Sequence, residues 1–163
     1  MTEASLAIIV TIVRRVTSLW VAAITMSLSL ASLSQPQPVA SYEIVDDAIE
    51  RPLYGLVGDA GRGRAIAAGR QGNCLACHAM PIPEEGFHGN VGPDLTGVGS
   101  RYSAGELRLR LVDGMALNPD TIMPSFHRVE GLHRVKPELR GRPILNAQQV
   151  EDVVAYLMTL TED

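Results

Sequence analysis

The residues with the clearest chemical potential are Cys74, Cys77 and His78, which together form the pattern C-x-x-C-H. Positions i, i+3 and i+4 share one face of a helix, so both thiols and the imidazole can point the same way. Two thioether bonds can then hold the edge of a porphyrin while the imidazole reaches its iron. This pattern is typical of c-type haem attachment. The sequence therefore predicts one covalent haem c, bound through Cys74 and Cys77, with His78 as an iron ligand.

Other roles for the two cysteines fit the sequence less well. A disulfide is the usual use of two cysteines in an oxidising compartment. A thioredoxin-like redox pair follows a strand, and no β-rich run precedes Gly72. A zinc site needs further Cys or His ligands at ordered spacings, and the chain contains no second cysteine pair. Haem attachment remains the best interpretation.

A haem iron bound by one histidine needs a ligand on its opposite face, and methionine commonly fills that place in electron-transfer cytochromes. Met80 follows His78 too closely to reach the far side, and Met158 falls in a periodic helix. Met123 lies between Pro119 and Pro124, which predict a rigid extended loop rather than a helix. We predict Met123 as the distal ligand and keep Met115 as the alternative. The remaining histidines are expected to be exposed polar residues: His88, His127 and His133.

The first 34 residues resemble an export signal. Arg14 and Arg15 precede an apolar run over residues 16–33, as in the charged and apolar regions of a signal peptide. We expect cleavage between Ala31 and Ala40, although the run is just long enough to be an uncleaved anchor. Either way the rest of the chain would lie outside the cytoplasm. The predicted organisation is a signal peptide at 1–34, an extended linker at 35–55 and a haem domain at 56–163.

Helical periodicity predicts an all-α class of fold. We expect a helix from Asp59 to Arg70, a second from Ser103 to about Met115, and a third that begins after Asn146. The glycines of the first helix suggest a close helix crossing, with Tyr156 of the last helix nearby. Residues 41–52 are acidic and weakly periodic, so we expect them to lie outside the core. No strand pattern is found.

Glycines and charge add two expectations. Five glycines in residues 84–100 predict a loop that passes close to the cofactor. Within this loop, the Pro93 carbonyl is expected to accept a hydrogen bond from Nδ1 of His78, as partners of metal-bound imidazoles do. The net charge of −4 argues against a nucleic-acid-binding protein.

Taken in order, five segments of the chain resemble SoxX, the small monohaem subunit of the SoxAX complex of bacterial thiosulfate oxidation. The haem motif alone is generic, whereas the ordered set is distinctive. The resemblance covers about residues 47–160. The segments are GNCLACH at 72–78, GNVGPDL at 89–95, VGSRY at 98–102, NPDTIMP at 118–124 and QQVEDVVAYL at 148–157.

The resemblance implies a class I cytochrome c fold with Cys74 and Cys77 as attachment sites, His78 as proximal ligand and Met123 as distal ligand. It also implies that the chain forms a periplasmic heterodimer with SoxA. This heterodimer would be an L-cysteine S-thiosulfotransferase, which oxidatively joins thiosulfate to a cysteine of the carrier SoxYZ and passes the electrons to a downstream acceptor. After signal cleavage no membrane attachment is expected.

If both cysteines form thioethers, the chain has no free thiol for sulfur chemistry. It would then act as an electron carrier without catalytic residues of its own. A free diffusible periplasmic cytochrome c that serves a terminal oxidase is the alternative, because it would contain the same haem and the same methionine.

Overall fold

A computed structural model describes residues 39–162. The predicted signal peptide and the cleavage region before Val39 lie outside the described residues. Within residues 39–162, four α-helices follow one another along the chain, together with several 3-10 turns: α1 Ala60–Ala68, α2 Val98–Arg101, α3 Ala104–Asp113 and α4 Ala147–Met158. Over residues 39–162 the only β pairing is an isolated bridge between Val45 and Ala48. The all-α prediction is therefore confirmed for this part of the chain.

The capping residues read from the sequence begin the helices as expected. The Asp59 side chain accepts a hydrogen bond from the backbone N–H of Arg62 at the start of α1. Ser103 forms a capping box with Glu106 at α3, and Asn146 forms one with Gln149 at α4. Each cap satisfies backbone donors that have no partner within the helix.

α4 is the central helix of the core. One face of the helix carries apolar side chains that are buried, and Leu160 continues this buried row just after the helix ends. The buried residues are Val150, Val153, Val154, Tyr156, Leu157 and Leu160. This spacing matches the helical repeat that the sequence showed, so the amphipathic prediction is confirmed.

α1 crosses α4 at very short range because α1 contributes a glycine at the contact. A Cβ atom on Gly63 would overlap the carbonyl oxygen of Asp152 and crowd Tyr156. The close crossing and the place of Tyr156 are thus confirmed. Asp152 is almost fully buried and ties the helices together, since it accepts hydrogen bonds from Arg62 Nε at 2.8 Å and from the backbone N–H of Asp59 at 2.8 Å.

α3 joins α4 through a buried ion pair between Arg108 and Glu151, each with about 4% of its side chain exposed. Arg108 Nε and Nη2 donate to the two carboxylate oxygens at 2.8 and 2.9 Å. A buried pair of this kind needs its remaining polar atoms satisfied. Arg108 also donates to the carbonyl of Ile49, and Glu151 also accepts from the backbone N–H of Leu53.

The contacts of Ile49 and Leu53 with this ion pair show that the expectation for residues 41–52 is wrong. Residues 41–52 do not lie outside the core, because Ala48 and Ile49 are 3% and 2% exposed and Leu53, just after them, is 2% exposed. The sequence did not reveal these buried positions because most of the segment is acidic or polar. Among residues 39–162, no helix is long and apolar enough to span a membrane.

The α1–α4 crossing predicts that Gly63→Ala destabilises the fold by about 1 to 3 kcal/mol or more, because the new methyl group overpacks a backbone contact. Gly61→Ala is the matched control: its Cβ would approach only the Asp59 side chain, at 3.3 Å, and alanine favours a helix by up to about 1 kcal/mol. Urea unfolding of the two variants compares them. Equal midpoints would contradict the tight crossing.

Candidate haem site

Cys74 begins a 3-10 turn, Cys74–Ala76, and Cys77 is the residue that caps its C-terminal end; the turn follows Asn73, which is in the left-handed conformation at φ 49°. The backbone N–H groups of Cys77 and His78 both donate to the Cys74 carbonyl, at 3.1 and 2.9 Å. The turn is only three residues long, so the haem motif does not lie on a regular α-helix. Both cysteines are free and half-buried. One turn therefore carries both thiols and leads into His78.

Cys74 does not resemble a redox-active thiol. Burial raises the pKa of the Cys74 thiol to about 11, so the group is protonated at neutral pH. A reactive C-x-x-C pair requires the opposite, a pKa lowered toward or below neutrality. This contrast disfavours a thioredoxin-like role.

The His78 ring is oriented by a backbone carbonyl. Nδ1 lies 2.7 Å from the carbonyl oxygen of Pro93, and because a carbonyl only accepts, the proton resides on Nδ1. The lone pair of Nε2 is then free to bind a metal ion. The hydrogen bond expected from the sequence is present, while its role toward an iron ligand stays a prediction.

The loop that contains Pro93 lies directly on the cysteine turn. The backbone N–H of Gly89 donates to Leu75, and that of Gly92 donates to Cys77, at 2.7 and 2.8 Å. A Cβ atom on Gly92 would overlap the His78 ring, and one on Gly89 would overlap the Ala76 carbonyl. Glycine is therefore required at both positions for the loop to reach the imidazole.

Met123 lies on a separate loop after α3. Hydrogen bonds shape this loop: Thr121 N–H donates to the Asn118 carbonyl at 3.1 Å, and Met123 N–H donates to Thr121 Oγ1 at 3.2 Å. The loop is a compact turn rather than the extended segment predicted. Met123 is half-buried and packs against the same hydrophobic core that Cys74 contacts.

The other methionines have structural positions. Met80 is 4% exposed and belongs to the core, and Met158 packs against that core from α4. Met115 falls in the 3-10 turn Gly114–Ala116 and is half-buried. Met123 and Met115 thus remain the candidates, and Met123 is the one on a loop between prolines.

The expectation of exposed histidines is wrong for His127, which is fully buried at 0% exposure. Its Nδ1 donates to the Leu145 carbonyl and its Nε2 accepts from the Ala40 N–H, so neither nitrogen can bind iron. No sequence signal distinguishes such a residue. His88 is half-buried and accepts from Met80 N–H through Nδ1, whereas His133 is exposed.

The geometry fits a covalent haem. Cys74 and Cys77 lie on one turn, and Nε2 of His78 is free to bind a metal. The loop that contains Gly89 and Gly92 packs closely against the imidazole. Over residues 39–162 no cluster of three or more His, Cys, Asp or Glu side chains could hold a metal ion by itself.

Comparisons with known proteins agree with this geometry. The cytochrome c family model matches residues 60–161. One chain of the crystal structure of SoxXA from P. pantotrophus is 37% identical to this chain, with a TM-score of 0.69 over 74% of this chain and 95% of that chain. No curated protein matches. The chain belongs to the cytochrome c family, whose members carry covalent haem c, and is a SoxX-like monohaem cytochrome.

Proposed function

We propose that this chain is the electron-accepting haem subunit of a periplasmic SoxAX-type complex, partnered by a SoxA-like cytochrome. The single observation that carries the proposal is the 37% identity to a chain of SoxXA over 95% of that chain. A class I cytochrome c fold and removal of the first 34 residues as an export signal are parts of the same proposal.

The residues that would hold the cofactor are Cys74 and Cys77, through thioether bonds, with His78 and Met123 as the ligands of its iron. Bound haem supplies one-electron acceptance by its iron. Pro93 keeps the proton on Nδ1 of His78 and so keeps Nε2 available as ligand. A thioether ligand favours the reduced iron compared with a second histidine and raises the reduction potential, which suits an electron acceptor.

The reaction of the complex would join thiosulfate to a cysteine of a SoxYZ-type carrier. A sulfur–sulfur bond forms, the thiol loses its proton, and two electrons leave the substrates. The chain has two cysteines, and thioether formation consumes both, so the sulfur chemistry must occur on a partner. One haem stores one electron, so the complex must share the pair between subunits or pass it to a downstream acceptor.

The first test of the site is Met123→Ala. Haem should remain attached, because the thioether bonds are untouched, while the potential falls by on the order of 0.1 V, within the range that axial ligands span, or the iron becomes high-spin. Absorption spectroscopy and potentiometry measure both effects.

Met115→Ala is the matched control and should keep the spectrum and potential of the parent protein. The opposite result, an unchanged Met123→Ala and an altered Met115→Ala, would move the distal ligand to Met115.

The function is tested by reconstitution. Purified together with a SoxA-like partner, the chain should elute as a stable complex, and its haem should be reduced when thiosulfate and the SoxYZ carrier are added. A carrier without its acceptor cysteine is the control and should give no reduction. A chain that elutes alone and stays oxidised with all components present would overturn the proposal in favour of a diffusible carrier.

A further inference from the structure

The segment from Ala40 to Leu53, called here the N-terminal strap, precedes the region that the cytochrome c family model matches, residues 60–161. It is nevertheless built into the fold. Ala40, Ala48, Ile49 and Leu53 are each no more than 3% exposed. A segment with this many buried positions is a structural part of the domain rather than a linker.

The strap runs along α3 in the opposite direction. The Ile49 N–H donates to the Gly105 carbonyl at 3.1 Å, at the beginning of α3. Tyr42 Oη donates to Asp113 Oδ2 at 3.3 Å, at the end of that helix. The eight residues from Tyr42 to Ile49 therefore run alongside α3 from Asp113 to Gly105.

The early end of the strap contacts two buried polar side chains. Tyr42 reaches Asp113, which is 7% exposed, and the Ala40 N–H donates to Nε2 of His127 at 3.0 Å. Burial and the nearby Asp113 carboxylate raise the pKa of Tyr42, so the phenol keeps its proton and acts as the donor.

Asp113 and His127 in turn hold residues 125–128, called here the anchor segment. Asp113 Oδ1 accepts from Ser125 Oγ at 3.2 Å and from Arg128 Nη1 at 3.1 Å. His127 Nδ1 donates to the carbonyl of Leu145 at 2.9 Å. The two side chains that the strap contacts are therefore those that secure the anchor segment.

The backbone of the anchor segment completes the end of α3. The last carbonyls of a helix have no donors within it, and here Leu111 accepts from Phe126 N–H at 2.8 Å and Val112 accepts from Arg128 N–H at 3.1 Å. The segment begins two residues after Met123, and Pro124 stiffens the connection. A shift of the anchor segment would be transmitted to the Met123 thioether.

We propose that Tyr42 and His127 are positioning residues for the distal ligand: the strap, through them, fixes the anchor segment and so holds Met123 on the iron. The inference rests on the proposed assignment of Met123. The strap, which lies outside the region matched by the family model, would then control how readily the Met123 thioether dissociates from the iron.

The test is titration of the oxidised, haem-loaded full chain with imidazole, which competes with the distal ligand. One lost buried hydrogen bond costs about 0.5 to 1.5 kcal/mol, so Tyr42→Phe should raise the imidazole binding constant about threefold. His127→Leu loses two such bonds and should raise it about tenfold. His127→Gln supplies a donor and an acceptor again and should recover most of the change.

Val153→Ala is the control for general destabilisation. Val153 is 1% exposed in α4, and its apolar side chain takes no part in the hydrogen bonds of the strap. Its thermal midpoint should fall while its imidazole constant stays that of the parent. An unchanged constant in Tyr42→Phe, or an equal rise in Val153→Ala, overturns the role of the strap. If His127→Leu does not fold, the imidazole binding constant of Tyr42→Phe alone tests the role of the strap.

A separate arm isolates the ligand assignment. Met123→Ala has no thioether to displace and should bind imidazole far more tightly than the parent chain. If the two bind alike, the assignment of Met123 fails and the positioning role fails with it. If Met123→Ala binds tightly but the Tyr42 and His127 variants match the parent, only the positioning role fails.

Discussion

The candidate site depends on one hydrogen bond, from Nδ1 of His78 to the carbonyl of Pro93. Imidazole has two nitrogens, and a metal can use the one that lacks a proton. By accepting a hydrogen bond from Nδ1–H, the carbonyl fixes the plane of the ring and leaves Nε2 as the nitrogen that can bind a metal. The contact exists only because Gly92 lets the backbone lie against the imidazole and because Gly89 and Gly92 hydrogen-bond to the cysteine turn.

The helical frame supports that contact from two directions. α1 and α4 cross at Gly63, and residues 69–73 connect α1 to the cysteine turn. α3 is held to α4 by the buried Arg108–Glu151 pair, and the end of α3 supports the segment that follows Met123. A site of this kind needs rigid support, because a misplaced thioether would leave the iron.

Much of this architecture could be predicted from the sequence. The caps at Asp59, Ser103 and Asn146 and the apolar row of α4 follow local rules of hydrogen bonding and periodicity, which need no knowledge of distant contacts. The turn that contains the cysteine motif follows from local spacing in the same way. The Pro93 contact spans 15 residues and was predicted because a metal-bound imidazole needs a hydrogen-bond partner. The glycines predicted the close helix crossing because few other residues permit one.

Features that depend on long-range contacts could not be predicted. The strap appeared to be a solvated linker because it contains four acidic residues and only weak periodicity. Its hydrogen bonds to Arg108 and Glu151, far along the chain, show where Ile49 and Leu53 lie. His127 appeared to be an exposed histidine because nothing near it in sequence indicates that Ala40 and Leu145 satisfy both ring nitrogens. The compact turn before Met123 arises from the Asn118 and Thr121 side chains, which compete with an extended backbone.

The measurement that tests the central claim most directly is the mass of the chain after maturation in a host that attaches haem c, taken under denaturing conditions. The account predicts a polypeptide heavier by one haem, with the added mass on the peptide that contains Cys74 and Cys77. A bare polypeptide, or a peptide in which these two sulfurs are joined to each other, would contradict it.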